Sequence, residues 1–247
     1  MKPRTLVVRS GANPFLPLGE SSMIEIVEKV SHSIVPVEPD VRAFERPADL
    51  AVLTSQVAVE RLFSDARLGE LFRNALAAGR VAAVGSATDE ALRKRGLSAA
   101  IVARGSAEGV LEKLPADLSG WSVLLPCGED ASPELREGLH RRGAHVAVLT
   151  LYRKVARPAD LELQREILQR PFAAFCTTSP SAARWLFAGL GESAAERLRK
   201  TPAVVLGRVT RRFLESHGVQ RILVTEEARF SSAVRLLERL AAVEAQA

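Results

Sequence analysis

The chain has 247 residues, 47% apolar and 26% charged, which suits one large buried core or two smaller ones and excludes a disordered or fibrous chain. Its formal charge of +5 lies entirely in residues 151–247, where 16 basic and 10 acidic side chains compare with 18 and 19 over residues 1–150. There is no Lys/Arg run of five and no basic patch interleaved with aromatics, so no nucleic-acid partner is expected and small polyanions fit better. No uncharged apolar stretch nears the roughly 18 residues of a spanning helix, and no signal peptide is readable, so no membrane contact and a cytoplasmic location are expected. The cysteines, Cys127 and Cys176, show no CxxC spacing, which argues against disulfides and zinc.

In chain order, runs rich in Val, Ala and Leu read as buried strands at residues 5–10, 50–55, 80–85, 99–103 and 121–126, then 145–152, 172–179, 203–207 and 221–225. Residues 23–38, MIEIVEKVSHSIVPVE, read as a helix followed by a strand. Amphipathic patterns between the strands predict helices at AVERLFS, TDEALRKRG, AEGVLEKL, PELREGLHRRG, SAARWLFAGL, TRRFLESHG and SSAVRLLERLAAVE. Strand and helix in alternation, with near-continuous apolar strands, define an α/β protein with parallel sheets flanked by helices.

The chain also repeats itself. VGSATDEALRKRG (84–96) returns as LGRVTRRFLESHG (206–218), LTSQVAVERLF (53–63) as TTSPSAARWLF (177–187), and SAEGVLEKL (106–114) as SAVRLLERL (232–240). Three segments in one order at nearly constant offset predict two similar lobes. Residues 1–36 are needed to complete the second copy, so the first lobe is expected to be discontinuous, 1–36 with 156–247, around an inserted lobe at 42–149. Residues 37–41 and 150–155 would be two linker strands, near Pro36, Pro39 and Pro158.

Candidate binding groups sit where a strand turns into a helix. Thr88 and Thr210, in the GxxT of each copy, are expected to cap helices, and Gly96 and Gly218 suit the left-handed residue that ends them. Arg208, Arg211 and Arg212 surround the helix start at Thr210, where free N–H groups already favour anions. Thr54 and Ser55, and their counterparts Thr178 and Ser179 with Ser181, are hydroxyls that either cap a helix or meet a ligand, and Ser232 offers a third such turn in the basic lobe. Tyr152, the single tyrosine, falls on an expected crossing strand. The four histidines lack metal spacing and no nucleotide or hydrolase motif occurs, so neither cofactor nor metal is implied.

AVLTSQVAVERLF, AAVGSATDEALRKRGL, VLLPCGEDASPELREGLHRRGAHVAVLTLYRKV, FCTTSPSAARWLF and VVLGRVTRRFLESHGV together resemble the uroporphyrinogen-III synthase family, over about residues 36–240. The resemblance implies two α/β lobes on a two-stranded linker, and a cofactor-free cyclisation of hydroxymethylbilane, an octacarboxylate, to uroporphyrinogen III with ring D inverted and water lost. It implies that Tyr152 is the linker tyrosine that assists departure of the hydroxyl, and that Ser179, Thr210 and Thr88 contact substrate. A monomer that takes its substrate from hydroxymethylbilane synthase is the expected setting. The alternative is a non-catalytic tetrapyrrole or carboxylate sensor on the same fold. Two departures stand out: residues 7–23 read as a longer loop than the usual turn, and Cys127 and Ser132 stand where many relatives carry arginine.

Overall fold

A computed structural model describes residues 2–11, 21–76, 78–103, 107–227 and 229–244. In chain order its elements are β1 (Arg4–Arg9), β2 (Glu25–Val30), β3 (His32–Pro36), a short 3-10 turn (Val41–Phe44), β4 (Leu50–Leu53), α1 (Gln56–Ser64), α2 (Ala66–Ala75), β5 (Arg80–Val84), α3 (Ser86–Arg93), β6 (Ile101–Ala103), α4 (Ala107–Lys113), β7 (Ser122–Gly128) and α5 (Pro133–Arg141). The chain continues with β8 (His145–Ala156), α6 (Leu161–Gln169), β9 (Ala174–Thr177), α7 (Pro180–Ala188), α8 (Glu192–Lys200), β10 (Ala203–Val205), α9 (Arg208–Ser216), β11 (Ile222–Val224) and α10 (Phe230–Glu244). They form two compact units, residues 1–34 with 155–247, and residues 35–154. The chain passes from one unit to the other inside β3 and again inside β8, which are neighbours in one sheet.

The discontinuous unit holds a five-stranded sheet in the order β11-β10-β9-β1-β2, and every pairing in it is parallel. All six residues of β1 are buried, because β1 lies between β9 and β2 and is covered on both faces. One face packs Leu6, Val8, Phe175 and Val205 against α7 residues such as Leu186; the other packs Val7, Cys176 and Val204 against Leu237 and Leu240 of α10. At the amino ends of the strands the buried Arg4 pairs with Glu25 and Glu166 and lies over the Phe172 ring, so its charge is compensated.

The inserted unit has the sheet order β3-β8-β7-β4-β5-β6, with β8 through β6 parallel. The internal repeat makes the two sheets comparable. If β4, β5 and β6 are set against β9, β10 and β11, then β7 and β8 fall on β1 and β2. The discontinuous unit is therefore the same topology entered at a different strand. In both, the order reverses beside the first strand of the repeat, between β4 and β7 and between β1 and β9. Open parallel sheets bind ligands just beyond the carboxyl ends of strands at such reversals.

Two expectations fail. Residues 25–30 form a strand and not a helix: Ile26, Val27 and Val30 are β-branched, and the segment pairs with all six residues of β1. The first crossing strand is His32–Pro36, not 37–41; Pro36 and Pro39 remove donors from the ladder, and Asp40 then caps the 3-10 turn by accepting from the Arg42 N–H. The second crossing segment is the continuous end of β8. Helices α2, α6 and α8 are not among the helices expected from the sequence, although Asp65 and Asp160 cap the first two by accepting from Leu68 and Leu163. The longer loop expected within residues 7–23 falls largely outside the described residues.

Candidate active site

In the inserted unit the chemistry gathers where β4 and β7 end. Ser55, extended at φ −158° and ψ 156°, caps α1 by accepting from the Ala58 N–H at 3.1 Å. Its Oγ also lies 3.2 Å from Tyr152 Oη. The tyrosine reaches that position through a β-bulge. The ladder pairs Cys127 with Thr150 but Gly128 with Tyr152, so Leu151 is the extra residue and the phenol ring lies against Gly128. A Cβ on Gly128 would stand 2.7 Å from the Tyr152 ring, so only glycine leaves room for it. The side chain is 4% exposed. Burial pushes the phenol above its ordinary pKa near 10, while the Ser55 hydrogen bond and the Lys154 charge pull against that rise. Lys154 is paired with Asp130 at 2.9 Å.

Thr54 precedes Ser55 in the same turn and is half-buried. Thr88 is not a cap. Gly85, at φ 94°, is the N-cap of α3 without a side-chain bond, and Thr88 sits one turn in, donating back to the Val84 carbonyl at 3.2 Å. Cys127 and Ser132 bring no positive charge to this edge. The Cys127 thiol is buried, which pushes it up to about 11 and keeps it protonated, and Ser132 is exposed ahead of α5 with no capping bond.

The discontinuous unit repeats this edge. Ser179, at φ −159° and ψ 162°, caps α7 by accepting from the Ala182 N–H at 3.2 Å, as Ser55 caps α1. Its Oγ meets Ser181 Oγ at 3.0 Å. Thr210, 3% exposed, occupies the Thr88 position in α9, and Gly207 in place of a hydroxyl is the N-cap. Gly207 is in ordinary extended backbone at φ −164°, and a Cβ there would meet nothing within 4 Å, so the fold does not require glycine. What glycine leaves is bare backbone at a helix N-terminus. Arg208 and Arg212 are exposed beside it, with Val209 67% exposed between them. Arg211 is tied to Glu215 at 2.7 Å. Ser232 lies inside the first turn of α10, not in the turn before it, and accepts from Arg235 at 3.1 Å. A groove along α7, lined by Ser181, Arg184 and Trp185 with Arg157 and Ala159, was not anticipated. Nor was Gly128, whose only sequence signal is a glycine closing an apolar run.

Among the described residues no group of three or more His, Cys, Asp and Glu is placed to hold a metal ion, and no helix is long and apolar enough to cross a membrane. The structure thus brings Tyr152, Ser55, Thr54 and Thr88 to one carboxyl edge and Ser179, Thr210, Arg208, Arg211, Arg212 and Ser232 to the other. This is a duplicated, doubly wound α/β protein whose hydroxyls, bare helix starts and arginines gather at strand ends.

Comparison with known proteins gives this class its name. The sequence model of the family described as uroporphyrinogen-III synthase HemD matches residues 6–235, and the chain belongs to that family. A protein of Methanothermobacter thermautotrophicus, provisionally named uroporphyrinogen-III synthase, is 34% identical over 185 residues, 70% of this chain and 71% of the relative. The fold matches a mutant uroporphyrinogen III synthase from the extremely thermophilic bacterium Thermus thermophilus with a TM-score of 0.68 at 24% identity, over 97% of this chain and 99% of that one. It also matches the uroporphyrinogen-III synthetase of Helicobacter pylori with a TM-score of 0.62 at 16% identity, over 97% and 100%. The family's members are lyases that cyclise hydroxymethylbilane in tetrapyrrole biosynthesis.

Proposed function

We propose that this chain converts hydroxymethylbilane to uroporphyrinogen III with inversion of ring D, and that Tyr152 is its proton donor. The observation that carries the reading is the phenol itself: the single tyrosine, only 4% exposed, bulged out of register and packed on Gly128 with its hydroxyl at the reversal point of a parallel sheet. Tyr152 protonates the departing hydroxyl as its C–O bond breaks, so that water leaves with the electron pair and an azafulvene cation forms. The substituted carbon of ring D attacks the cation to give a spiro intermediate, which fragments and recloses in the inverted sense. The carbon that closes the ring then returns its proton to the Tyr152 phenolate.

The bilane's carboxylate arms are taken by the edge hydroxyls and helix starts. Thr54, Ser179, Thr210 and Ser232 offer hydroxyls, whereas Thr88 spends its proton on the Val84 carbonyl; Arg208, Arg211 and Arg212 supply charge beside the bare N-terminus of α9. Binding fixes ring D for inverted closure, which must outrun the spontaneous cyclisation. We place the enzyme in the cytoplasm as a monomer that receives the labile bilane from hydroxymethylbilane synthase; light scattering is expected to give a mass near 26.7 kDa.

The test supplies fresh hydroxymethylbilane, oxidises the products and separates the isomers. Excess type III is expected. Type I alone would leave a protein that binds without catalysing and would sink the proposal.

A further inference from the structure

Ser55 has one proton and two lone pairs to place. One lone pair is committed to the Ala58 N–H at 3.1 Å, and the remaining contact is with Tyr152 Oη at 3.2 Å. That contact can run in two directions with opposite consequences. If the phenol donates to Ser55, its proton is held by the protein and is unavailable. If Ser55 donates to the phenol, the Tyr152 proton is free to point at a substrate oxygen.

The second copy separates capping from this contact. Ser179 has nearly the same dihedrals as Ser55 and caps its helix through the same N–H at 3.2 Å, yet its hydroxyl meets Ser181 and no tyrosine. Capping therefore accounts for a serine in both places, while the phenol contact belongs to one. Around that phenol, Asp130 and Lys154 neutralise each other at 2.9 Å, and burial keeps the Cys127 thiol protonated. Ser55 is then the polar group on Tyr152 Oη among the described residues, and behind it stand the N–H groups of α1.

We propose that Ser55 is a positioning residue: it donates its hydroxyl proton to Tyr152 Oη, aims the phenol proton at the bilane's hydroxyl, and relays the field of the α1 N-terminus to the phenolate that remains. The idea rests on Tyr152 being the proton donor. In the reactive step the phenol O–H bond breaks, the proton joins the departing oxygen, and water leaves. The Ser55 O–H···O contact becomes a charge-assisted bond to the phenolate until the product's proton returns.

A titration without substrate tests this directly, because Tyr152 is the only tyrosine. Biosynthetic replacement by 3-fluorotyrosine gives one fluorine signal from the folded full-length chain. Ser55→Gly removes the hydroxyl but caps almost as well as serine, so α1 persists. The fluorophenol in Ser55→Gly is expected to titrate higher by about half a unit or more, with kcat down about tenfold and KM unchanged. Ser55→Thr, which restores a hydroxyl, should recover both readings. An unshifted titration in Ser55→Gly, with helix content preserved by circular dichroism, overturns the relay and leaves Ser55 a cap. A Tyr152→Phe enzyme with full turnover overturns the acid reading itself, whether or not the fluorine signal has moved.

Discussion

At the scale of single residues, two side chains and one missing side chain decide the chemistry. Removing the phenol oxygen in Tyr152→Phe leaves the ring packed on Gly128 and takes away the proton donor, so kcat should fall roughly 10^2-fold with little change in melting temperature. Steady-state rates of type III formation measure it. Gly128→Ala keeps the phenol but places a methyl 2.7 Å from its ring, so the ring must move off Ser55. We expect kcat to drop although every polar group remains. An unchanged rate would mean that the bulge does not set the geometry. The pH profile follows from the same burial. The acid works protonated, and its pKa is raised from 10, first by desolvation, so kcat should hold into the alkaline range and fall only as pH climbs past the ordinary phenol value.

At the scale of elements, α9 shows what its sequence disclosed and what it did not. Gly218, at φ +82°, ends the helix with its N–H on the Glu215 carbonyl, while the Val219 N–H reaches back to Leu214; Gly96, at φ +73°, does the same after α3. Those roles were readable because a glycine after an amphipathic run has one common use. The GxxT threonines misled, since Thr at the start of a helix suits either the cap or the third position, and only the path of the preceding strand decides. The failure at residues 25–30 is similar: the apolar residues Ile26, Val27 and Val30 are spaced as on a helix face, and six residues are too few to separate strand from helix without β1 beside them. The Tyr152 bulge had no periodic signal at all. KM separates the two glycines of α9. Gly218→Ala forces a Cβ into left-handed backbone and should cost about 1 kcal/mol in urea unfolding without altering KM. Gly207→Ala meets no atom and strains no dihedral, so its cost is limited to that of a poorer N-cap, below about 1 kcal/mol, while KM rises if an acidic arm rests on that backbone. Arg208→Gln with Arg212→Gln should raise KM at low ionic strength and much less at high salt, because exposed charges are screened.

At the scale of the whole molecule, the repeat and the permuted strand order make an argument about folding. The inserted unit is one uninterrupted stretch, residues 35–154, with a core of its own that includes Leu50, Val52, Leu125 and Leu139. The other unit draws β1 and β2 from the amino terminus and the rest of its sheet from beyond residue 155. β1 is an interior strand between β9 and β2, every residue buried, and Leu6 and Val8 help fill the core shared with Phe175 and Leu186. Deleting β1 would strip β9 of one whole edge and open the core, a loss no rearrangement of the remaining parallel strands repairs. Residues 35–154 expressed alone should therefore unfold in one cooperative urea transition, whereas residues 155–247 alone should show no such transition. A chain in which residues 2–34 are joined after residue 244, so that all five strands of that unit follow one another, should recover it. If residues 155–247 fold cooperatively without β1, the sheet does not depend on that interior strand, and the permutation is only a formal likeness between the two copies.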